Sequence, residues 1–254
     1  SGNFEVFKTI LNLYPESECL EALKRQDRNG DTVLHYAARS GNVGCVEMIL
    51  SLYPESERLT VLHCAVASGN FETFKFILSL YPESERLQVA TTKEGRQETI
   101  LHYVAGDPCL DSSFQLECVK TILALCSESE LFRVVCMKGE FGQTVLHHAG
   151  NSGGHRIVKY ILSLLPESER FQIVAMKDNY GYTLLHRAAL QGLDNHELIE
   201  SVLISLSESE RVHLVSTQDN CGYSALHRDS NGGHFRSIKC LLGLLPEESR
   251  LQVV

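Results

Sequence analysis

Thr183-Leu184-Leu185-His186 is one copy of a motif that occurs six times in this chain of 254 residues. The other copies are Thr32-Val33-Leu34-His35, Thr60-Val61-Leu62-His63, Thr99-Ile100-Leu101-His102, Thr144-Val145-Leu146-His147 and Ser224-Ala225-Leu226-His227. Their histidines follow one another at intervals of 28, 39, 45, 39 and 41 residues. Such self-similarity predicts a solenoid, in which each unit buries its apolar face only against its neighbours. Recognition along an extended surface is therefore a better first hypothesis than chemistry at one site.

Each unit begins with a turn and a first helix. The turn, written Asp178-Asn179-Tyr180-Gly181 in one copy, has the residues that a tight turn ending at positive φ needs. Two positions after the glycine, Thr183 fits an N-cap. His186 then takes the place of the partner residue in a capping box. Small residues such as Ala188 and Ala189 permit close packing of this first helix, which ends near a glycine.

A second helix and a short third element complete the unit. Ile157, Ile161 and Leu164 have the helical spacing of a buried face in the second helix. The helix must end before Pro166, because the residue ahead of a proline is disfavoured in the α region. Pro166 then fits position N1 of a third, short helix with glutamates in its first turn. A short strand is the alternative for this element, because apolar residues alternate at 87–89; we favour the helix.

The repeat predicts one elongated domain over residues 1–254. It comprises a partial unit at 1–26 and units at 27–59, 60–93, 94–138, 139–177, 178–218 and 219–254. Leu59 runs directly into Thr60 without a turn, so we expect the row of turns to be interrupted there. Both chain ends fall inside a unit and carry apolar residues where a solenoid normally has polar caps. We therefore expect the chain to be part of a longer protein.

These units resemble the ankyrin repeat. The string Asp-x-x-Gly-x-Thr-x-Leu-His-x-Ala-Ala-x-x-Gly, followed by a second apolar helix, is similar to that family's pattern along essentially the whole chain. The resemblance implies an all-α, ankyrin-type helical solenoid, here with an extra short helix per repeat. The family's usual proline between Thr and Leu is absent from all copies, and the Pro-Glu-Ser-Glu-Arg extension lengthens a period that is usually about 33. Extended arrays of this style are similar to those of ankyrin-repeat proteins that intracellular bacteria deliver into host cells.

Composition argues against several other classes of protein. No apolar run approaches the length of about 18 residues that a membrane-spanning helix needs, so we expect no membrane insertion. The net charge of −9 originates in the Pro-Glu-Ser-Glu segments, and such an acidic edge repels phosphate backbones, so we expect no nucleic-acid partner. Nine cysteines without zinc-type pairing are typical of reduced core thiols. With no leader peptide visible, we predict a cytoplasmic monomer, or a protein of the host-cell cytosol if it is a secreted effector.

Three features invite a chemical interpretation, and we predict no catalytic residue, metal or cofactor at any of them. Histidines in stacked units are about 8–10 Å apart, whereas zinc ligands lie about 2 Å from one centre. The denser group of His147, His148 and His155 lacks acid or cysteine ligands at a suitable spacing. Cys109 lies in the insertion Gly106–Ser113 without a catalytic signature. Because inserted loops often carry function, this loop is the alternative binding site, whereas the smaller insertion Leu193–Asn195 is interpreted as a tolerated loop.

Residues that vary from copy to copy on the fixed scaffold are the candidates for binding. In ankyrin repeats the turn tips and first helices line the concave surface that holds partners, and the resemblance implies the same surface here. The last three units then contribute Phe141, His148, Tyr180, Tyr182, Arg187, Tyr223 and Arg228. Tyr and Arg are frequent interface anchors, and the two arginines at equivalent positions suit an acidic or phosphorylated segment. The alternative for each tyrosine is packing against the next turn.

The sequence therefore predicts a non-enzymatic scaffold that binds another protein on its concave surface. One alternative is a targeting or substrate-recruiting domain of a larger enzyme or secreted bacterial effector whose catalytic domain lies outside this chain. Another is a structural spacer whose acidic edge serves solubility.

Overall fold

The computed structural model describes residues 5, 8–9, 11–28, 32–53, 58–67, 69–93, 97–190 and 195–250. All regular secondary structure within these residues is helical, and an isolated antiparallel bridge joins Gln218 and Ser224 in a turn. The predicted all-α class is therefore confirmed. The chain divides into two compact regions, Ser1–Ala90 and Thr91–Val254, which are described separately.

The N-terminal region contains α1 (Glu16–Lys24), α2 (Val33–Arg39), α3 (Val43–Leu52), α4 (Arg58–Ala67), α5 (Phe71–Ser79) and most of α6 (Glu83–Thr91). The first helices α2 and α4 pack on each other, and each packs on the second helix that follows it. Leu34, Ile49, Leu62, Phe74 and Ile77 are almost completely buried between them. The 3.6-residue spacing of apolar positions thus produces the two-layer packing that a repeat unit needs.

The C-terminal region contains four consecutive units of three α-helices, and a short 3-10 helix, Glu140–Gly142, lies in the turn of the second of these units. The α-helices are α7 (Ile100–Gly106), α8 (Ser112–Leu123), α9 (Glu128–Val135), α10 (Val145–Ser152), α11 (His155–Leu164), α12 (Glu167–Val174), α13 (Leu184–Leu190), α14 (His196–Ile204), α15 (Glu208–Ser216), α16 (Ala225–Gly232), α17 (Phe235–Gly243) and α18 (Glu247–Arg250). The first helices α7, α10, α13 and α16 pack one on the next, and the second helices α8, α11, α14 and α17 form a parallel layer. The predicted solenoid arrangement is confirmed in this region.

The third element of the unit is a helix, as predicted, but its proline lies one position earlier than expected. Pro166 is the N-cap of α12, with φ −61° and ψ 153°, rather than the first helical residue. Its extended ψ is the conformation that an N-cap adopts. Ser127 and Ser207 replace this proline in the degenerate copies, and each forms a capping box with a glutamate three residues later. Proline and serine thus both occur at the N-cap position of the third helix.

The unit at Thr60 departs from the predicted cap. Helix α4 begins at Arg58, so Thr60 lies inside its first turn and not at the N-cap. The absence of a leading turn explains this, because no change of chain direction forces the helix to begin at the threonine. Residues 54–57, the chain ends 1–4 and 251–254, and the insertion residues Leu193 and Asp194 lie outside the described residues.

Two further observations concern membrane-spanning helices and the state of the cysteines. Among the helices that the structure describes, none combines the length and the apolar character needed to cross a membrane. All nine cysteines are free, with Cys45, Cys64 and Cys118 buried and Cys109 and Cys221 exposed.

Candidate functional site

A buried aspartate organises each of the last two turns. The Oδ1 atom of Asp178 accepts hydrogen bonds from the backbone N–H groups of Tyr180 at 2.8 Å and Tyr182 at 3.0 Å. Asp219 makes the same pair of bonds in the next unit, to Cys221 and Tyr223. The carboxylate therefore fixes the backbone conformation of the turn tip. Asp often has this role in turns, because its side chain accepts hydrogen bonds from nearby backbone N–H groups.

Glycine follows at a position that needs it for two reasons. Gly181 has φ +78°, in the left-handed region, as predicted for the end of the turn. A Cβ atom added there would lie 2.4 Å from Oδ1 of Asn220 in the following turn. Successive turns also share backbone hydrogen bonds, from Asn179 to the carbonyl of Phe141 at 2.8 Å and from Asn220 to the carbonyl of Tyr180 at 3.1 Å. The turn tips of the last three units therefore form one continuous, hydrogen-bonded row.

The motif histidines His102, His147 and His186 each connect a first helix to the chain at the next turn. Nδ1 of His186 accepts from the N–H of Thr183 at 3.3 Å, which completes the predicted capping box and places the ring proton on Nε2. Nε2 then donates to the carbonyl of Tyr223 at 2.9 Å. His147 makes the equivalent bond to the carbonyl of Tyr182 at 2.9 Å. Burial lowers the pKa of His147 to about 4, so the ring is neutral and serves as a structural connector.

The missing turn of the Thr60 unit changes the partner of His35, the motif histidine of the preceding unit. Nδ1 of His35 accepts from the N–H of Thr32 at 3.0 Å, as in the other units. Its Nε2 lies 3.3 Å from Sγ of Cys64, because the next unit presents a helix and no turn carbonyl at this point. The thiol thus occupies the place that a backbone oxygen holds elsewhere.

A row of lysines provides a second connection between units. Lys93 donates from Nζ to the carbonyl of Lys138 at 2.8 Å, Lys138 to that of Lys177 at 3.1 Å, and Lys177 to that of Gln218 at 2.7 Å. These residues precede successive turns at equivalent positions. Sequence reasoning missed this row, although the recurrence of Lys at one position of the unit was a signal for it.

Each candidate arginine is paired with the aspartate of its own turn. Arg228 donates to Oδ2 of Asp219 from Nε at 2.9 Å and from Nη2 at 2.6 Å. Arg187 donates in the same way to Asp178, from Nε at 2.8 Å and from Nη2. Both carboxylates are completely buried. A carboxylate nine residues earlier in the chain therefore already neutralises each guanidinium, a pairing that the sequence analysis did not include. That the two arginines suit an acidic or phosphorylated segment stays a prediction.

The electrostatics of the second pair agree with its geometry. Burial by itself raises the pKa of Asp219, but the hydrogen bonds from Arg228 and from two backbone amides outweigh it and hold that pKa below its usual range. Burial by itself lowers the pKa of Arg228, but the hydrogen bond and the charge of Asp219, with smaller contributions from its neighbours, outweigh it and raise that pKa. Both groups therefore stay charged, and together they are neutral.

Aromatic rings alternate with these guanidiniums. Cζ of Arg187 lies 5.6 Å from the ring centre of Tyr180 and 5.0 Å from that of Tyr182. Cζ of Arg228 lies 5.4 Å from Tyr182 and 4.7 Å from Tyr223. The distances are those of cation–π contacts. The resulting order is ring, guanidinium, ring, guanidinium, ring.

Phe141 extends this arrangement into the preceding unit. Its ring centre is 6.0 Å from that of Tyr180, and its backbone has φ 57°, which is uncommon for a residue other than glycine. Phe141, Tyr180 and Tyr223 remain 45 to 48 % exposed. We call the set of Phe141, Tyr180, Tyr182, Arg187, Tyr223 and Arg228 the aromatic–arginine ridge.

His148, the seventh candidate residue, lies apart from the ridge. Gly139 replaces the aspartate of its turn, so His148 has no carboxylate nine residues earlier. Its Nε2 atom instead lies 3.4 Å from Oε1 of Glu98, and its ring packs edge-on against His102 at 5.2 Å. Burial lowers the pKa of His148 to about 3. The residue is mostly buried in the wall of an open groove that is also lined by Tyr103, Asp107 and Pro108.

The insertion Gly106–Ser113 runs from the last residue of α7 into the first turn of α8. Oδ1 of Asp107 accepts from the N–H of Cys109, and Asp111 caps α8 through the N–H groups of Ser113 and Phe114. Nε2 of Gln115 donates to the carbonyls of Val104 and Asp107. Among the described residues, no group of three or more His, Cys, Asp or Glu side chains is arranged to hold a metal ion.

Comparison with known proteins identifies the type of repeat and of fold. A family model for ankyrin repeats, with three copies, matches residues 1–88 and 110–210. The crystal structure of an ankyrin repeat domain from Acinetobacter baumannii AYE is similar to this chain, with a TM-score of 0.56 and 16 % sequence identity, over 83 % of this chain and 96 % of that one. At this identity the likeness concerns the fold alone. Among curated proteins no match is found.

Proposed function

Because the chain belongs to the ankyrin repeat family, whose repeats generally mediate protein–protein interactions, we propose that it is a binding module that docks another protein on the aromatic–arginine ridge. The ridge lies on the turn tips and first helices, which form the concave, partner-holding surface in ankyrin repeats. The protein acts in this proposal by recognition and not by catalysis.

The exposure of three large rings on a fixed scaffold is the observation that carries this proposal. Phe141, Tyr180 and Tyr223 are nearly half exposed, although burial of an aromatic side chain is strongly favourable. Aromatic and arginine side chains contribute most of the energy at many protein interfaces. The ridge concentrates both types along consecutive units.

Rigidity is a second argument for docking at this place. The guanidiniums are fixed by two hydrogen bonds each, and the rings pack against the guanidiniums. A surface whose side chains are already ordered loses less conformational entropy on binding. Phe141, held at φ 57°, is consistent with backbone strain that is retained at a functional surface.

The experiment compares partner capture by the wild type and by the double variant Tyr180→Ala, Tyr223→Ala. These rings are exposed, and the hydrogen bonds of both residues are made by backbone atoms, so we expect the variant to fold normally. A partner recovered by affinity capture and confirmed with purified components should bind the variant at least about tenfold more weakly, a change of about 1.4 kcal/mol.

Phe235 provides the matched control. It is 74 % exposed but lies at the start of the second helix α17, away from the turn tips. Phe235→Ala should leave the affinity unchanged. Equal loss of affinity in Phe235→Ala and in the double variant would assign binding to general hydrophobicity rather than to the ridge.

A further inference from the structure

A groove with an apolar floor lies between two successive third helices, α9 and α12. Leu131 of α9 lines it, together with Leu164, Leu165 and Pro166 at the junction of α11 and α12. The groove is open to solvent and has a volume of about 530 Å³, and Leu164 is 39 % exposed within it. Burial of this apolar surface by a partner would be favourable. We call the site formed by these four residues the leucine groove.

Leu131 sets the leucine groove apart from the same place in the following units. Leu131 is the fourth residue after Ser127, and arginine holds the equivalent position of the next three units, as Arg170, Arg211 and Arg250. Each of these arginines donates from Nε to carbonyl groups near the end of the second helix of its own unit. Leucine at this position therefore makes the groove more apolar and removes a basic residue from it.

The polar lining of the leucine groove is acidic. Glu128 of α9 and Glu169 of α12 line it with Ser129, and none of the described residues that line it is basic. Nη1 of Arg170 lies 3.9 Å from Oε1 of Glu167, so the charge of this arginine is offset by an acid outside the groove. Glutamates in a first turn stabilise their helix, which accounts for the acidic start of each third helix. It does not account for an exposed leucine beside them.

We propose that the leucine groove is a second docking surface and binds a protein segment in which an apolar side chain is flanked by lysine or arginine. The apolar side chain packs on Leu131 and Leu164, and the basic side chains pair with Glu128 and Glu169 on the two helices that form the groove. None of these residues belongs to the aromatic–arginine ridge, so the inference does not rest on the docking function proposed for the ridge.

Charge selects this occupant over others. The protein has a net charge of −9, which attracts a basic segment at long range and repels a second copy of the chain. An anionic membrane surface is repelled for the same reason. The segment must also be apolar in part, because a purely basic one would leave Leu164 exposed.

The groove between α15 and α18 is an internal comparison. Its volume is about 580 Å³, similar to that of the leucine groove, and its lining includes Glu208, Val212 and Pro246. It contains one acidic residue and no leucine, and Arg211 stands at the position of Leu131. We therefore expect the basic segment to prefer the leucine groove.

The experiment measures the binding of three fluorescein-labelled synthetic peptides to the full chain by fluorescence anisotropy. The first peptide contains leucines flanked by lysines. The second has serine in place of each leucine, and the third has glutamate in place of each lysine. We expect the first peptide to bind at least about tenfold more tightly than either of the others, and its affinity to fall as salt screens the charges.

Two variants taken from the other units locate the binding. Leu131→Arg introduces the residue that the next three units carry at this position, and Leu164→Ser introduces the residue that Ser205 provides in the following unit. Each variant should therefore fold, as thermal unfolding will verify, and each should weaken binding of the first peptide at least about tenfold. Glu208→Gln, in the comparison groove, is the matched control and should leave the affinity unchanged.

Unchanged affinity in a folded Leu131→Arg or Leu164→Ser variant would overturn the inference. Equal binding of the first two peptides, which would reduce the interaction to charge alone, or binding of none of the three would do so too. Sedimentation of the chain alone and with phosphatidylcholine vesicles tests the other occupants. A dimer, or binding to vesicles, that Leu131→Arg abolishes would assign the groove to that occupant instead.

The outcome is separate from that of the ridge. The double variant Tyr180→Ala, Tyr223→Ala should bind the first peptide like the wild type. If this variant loses a recovered partner while no peptide binds, the ridge is a docking surface and the inference on the leucine groove is wrong. If it keeps the partner while the first peptide responds to Leu131→Arg, the proposal for the ridge is wrong and the leucine groove stands.

Discussion

Arg228 and Asp219 face each other through two hydrogen bonds of 2.9 and 2.6 Å, and the same pair occurs one unit earlier as Arg187 and Asp178. The aspartate also holds two backbone amides of its turn. One buried carboxylate therefore links the shape of a turn tip to the position of a guanidinium on the surface. If the ridge is the docking surface as we propose, folding and recognition depend on the same side chain in these two units.

Removing this carboxylate should destabilise the protein. Asp178→Ala leaves Arg187 without its counter-ion and the backbone amides of Tyr180 and Tyr182 without an acceptor. We expect the free energy of unfolding to fall by about 3 kcal/mol, as for other broken buried pairs. Urea denaturation of the variant against the wild type measures this. Glu208→Ala, on an exposed first turn of α15, is the control and should change stability by less than about 0.5 kcal/mol. A similar small change for Asp178→Ala would contradict the role of the pair.

Acid should destabilise the fold well before the carboxylates protonate. Burial lowers the pKa of His102 and of His147 to about 4, below the ordinary value of about 6.5. Between these values the unfolded state takes up protons that the folded state does not, so stability rises with pH in this range. The contribution is fully present above pH 6.5 and is lost as the pH falls towards 4. We expect about 1–2 kcal/mol for each of these histidines between pH 7 and pH 5.

Denaturation at a series of pH values measures this slope in the wild type and in His147→Gln. The variant cannot take up a proton at this position. Its free energy of unfolding should therefore change less with pH, by the contribution of one histidine. An identical slope in both proteins would show that His147 is not a neutral buried group.

The histidine that connects successive units should be needed for stability. His186→Ala removes the acceptor for the N–H of Thr183 and the donor to the carbonyl of Tyr223. Leaving buried polar groups unpaired costs about 1–3 kcal/mol, and we expect a loss in this range by urea denaturation. The exposed His213 lies outside the motif and serves as control, with little change expected for His213→Ala. Stoichiometric zinc in the purified protein, lost in His186→Ala, would show instead that the motif is a metal site.

Stability and docking should separate at Phe141. Asn adopts the left-handed conformation at φ 57° more readily than Phe, so Phe141→Asn should leave the free energy of unfolding within about 0.5 kcal/mol of the wild type. The same change removes a ring from the ridge and should weaken binding of the recovered partner. Thermal unfolding and a binding titration on one preparation test both halves. A clear loss of stability with unchanged partner binding would show that Phe141 serves the fold and not docking.

The local chemistry of the repeat was largely predictable from the sequence. The spacing of Thr183 and His186 predicted a capping box, and the order of Asp178 and Gly181 predicted a turn ending at positive φ. These features depend on residues that are close in the chain, where backbone geometry fixes which atoms meet. Pro166 was predicted as the first residue of the helix and is its N-cap, an error of one residue. The start of a helix next to proline depends on ψ of the proline, which the sequence does not specify.

The proximity of the candidate residues was predictable from the sequence, but their pairing was not. Six of the seven predicted residues meet in the ridge, since equivalent positions of stacked units must be neighbours. The sequence did not reveal that Asp178 neutralises Arg187, because the two residues are nine positions apart and meet only after the turn folds back on the helix. The signal was present, however, in the parallel occurrence of Asp219 and Arg228. His148 separated from the ridge because Gly139 lacks the carboxylate that positions an arginine in the other units.

The affinity of a recovered partner for the double variant Tyr180→Ala, Tyr223→Ala, measured by titration calorimetry beside the wild type and Phe235→Ala, tests the central claim most directly. The claim that the aromatic–arginine ridge is the docking surface predicts a loss of at least about tenfold in the double variant, unchanged binding by Phe235→Ala, and the same unfolding midpoint in all three proteins. Wild-type affinity in a correctly folded double variant would contradict it and move the docking surface to another part of the molecule, with the loop Gly106–Ser113 as the next candidate.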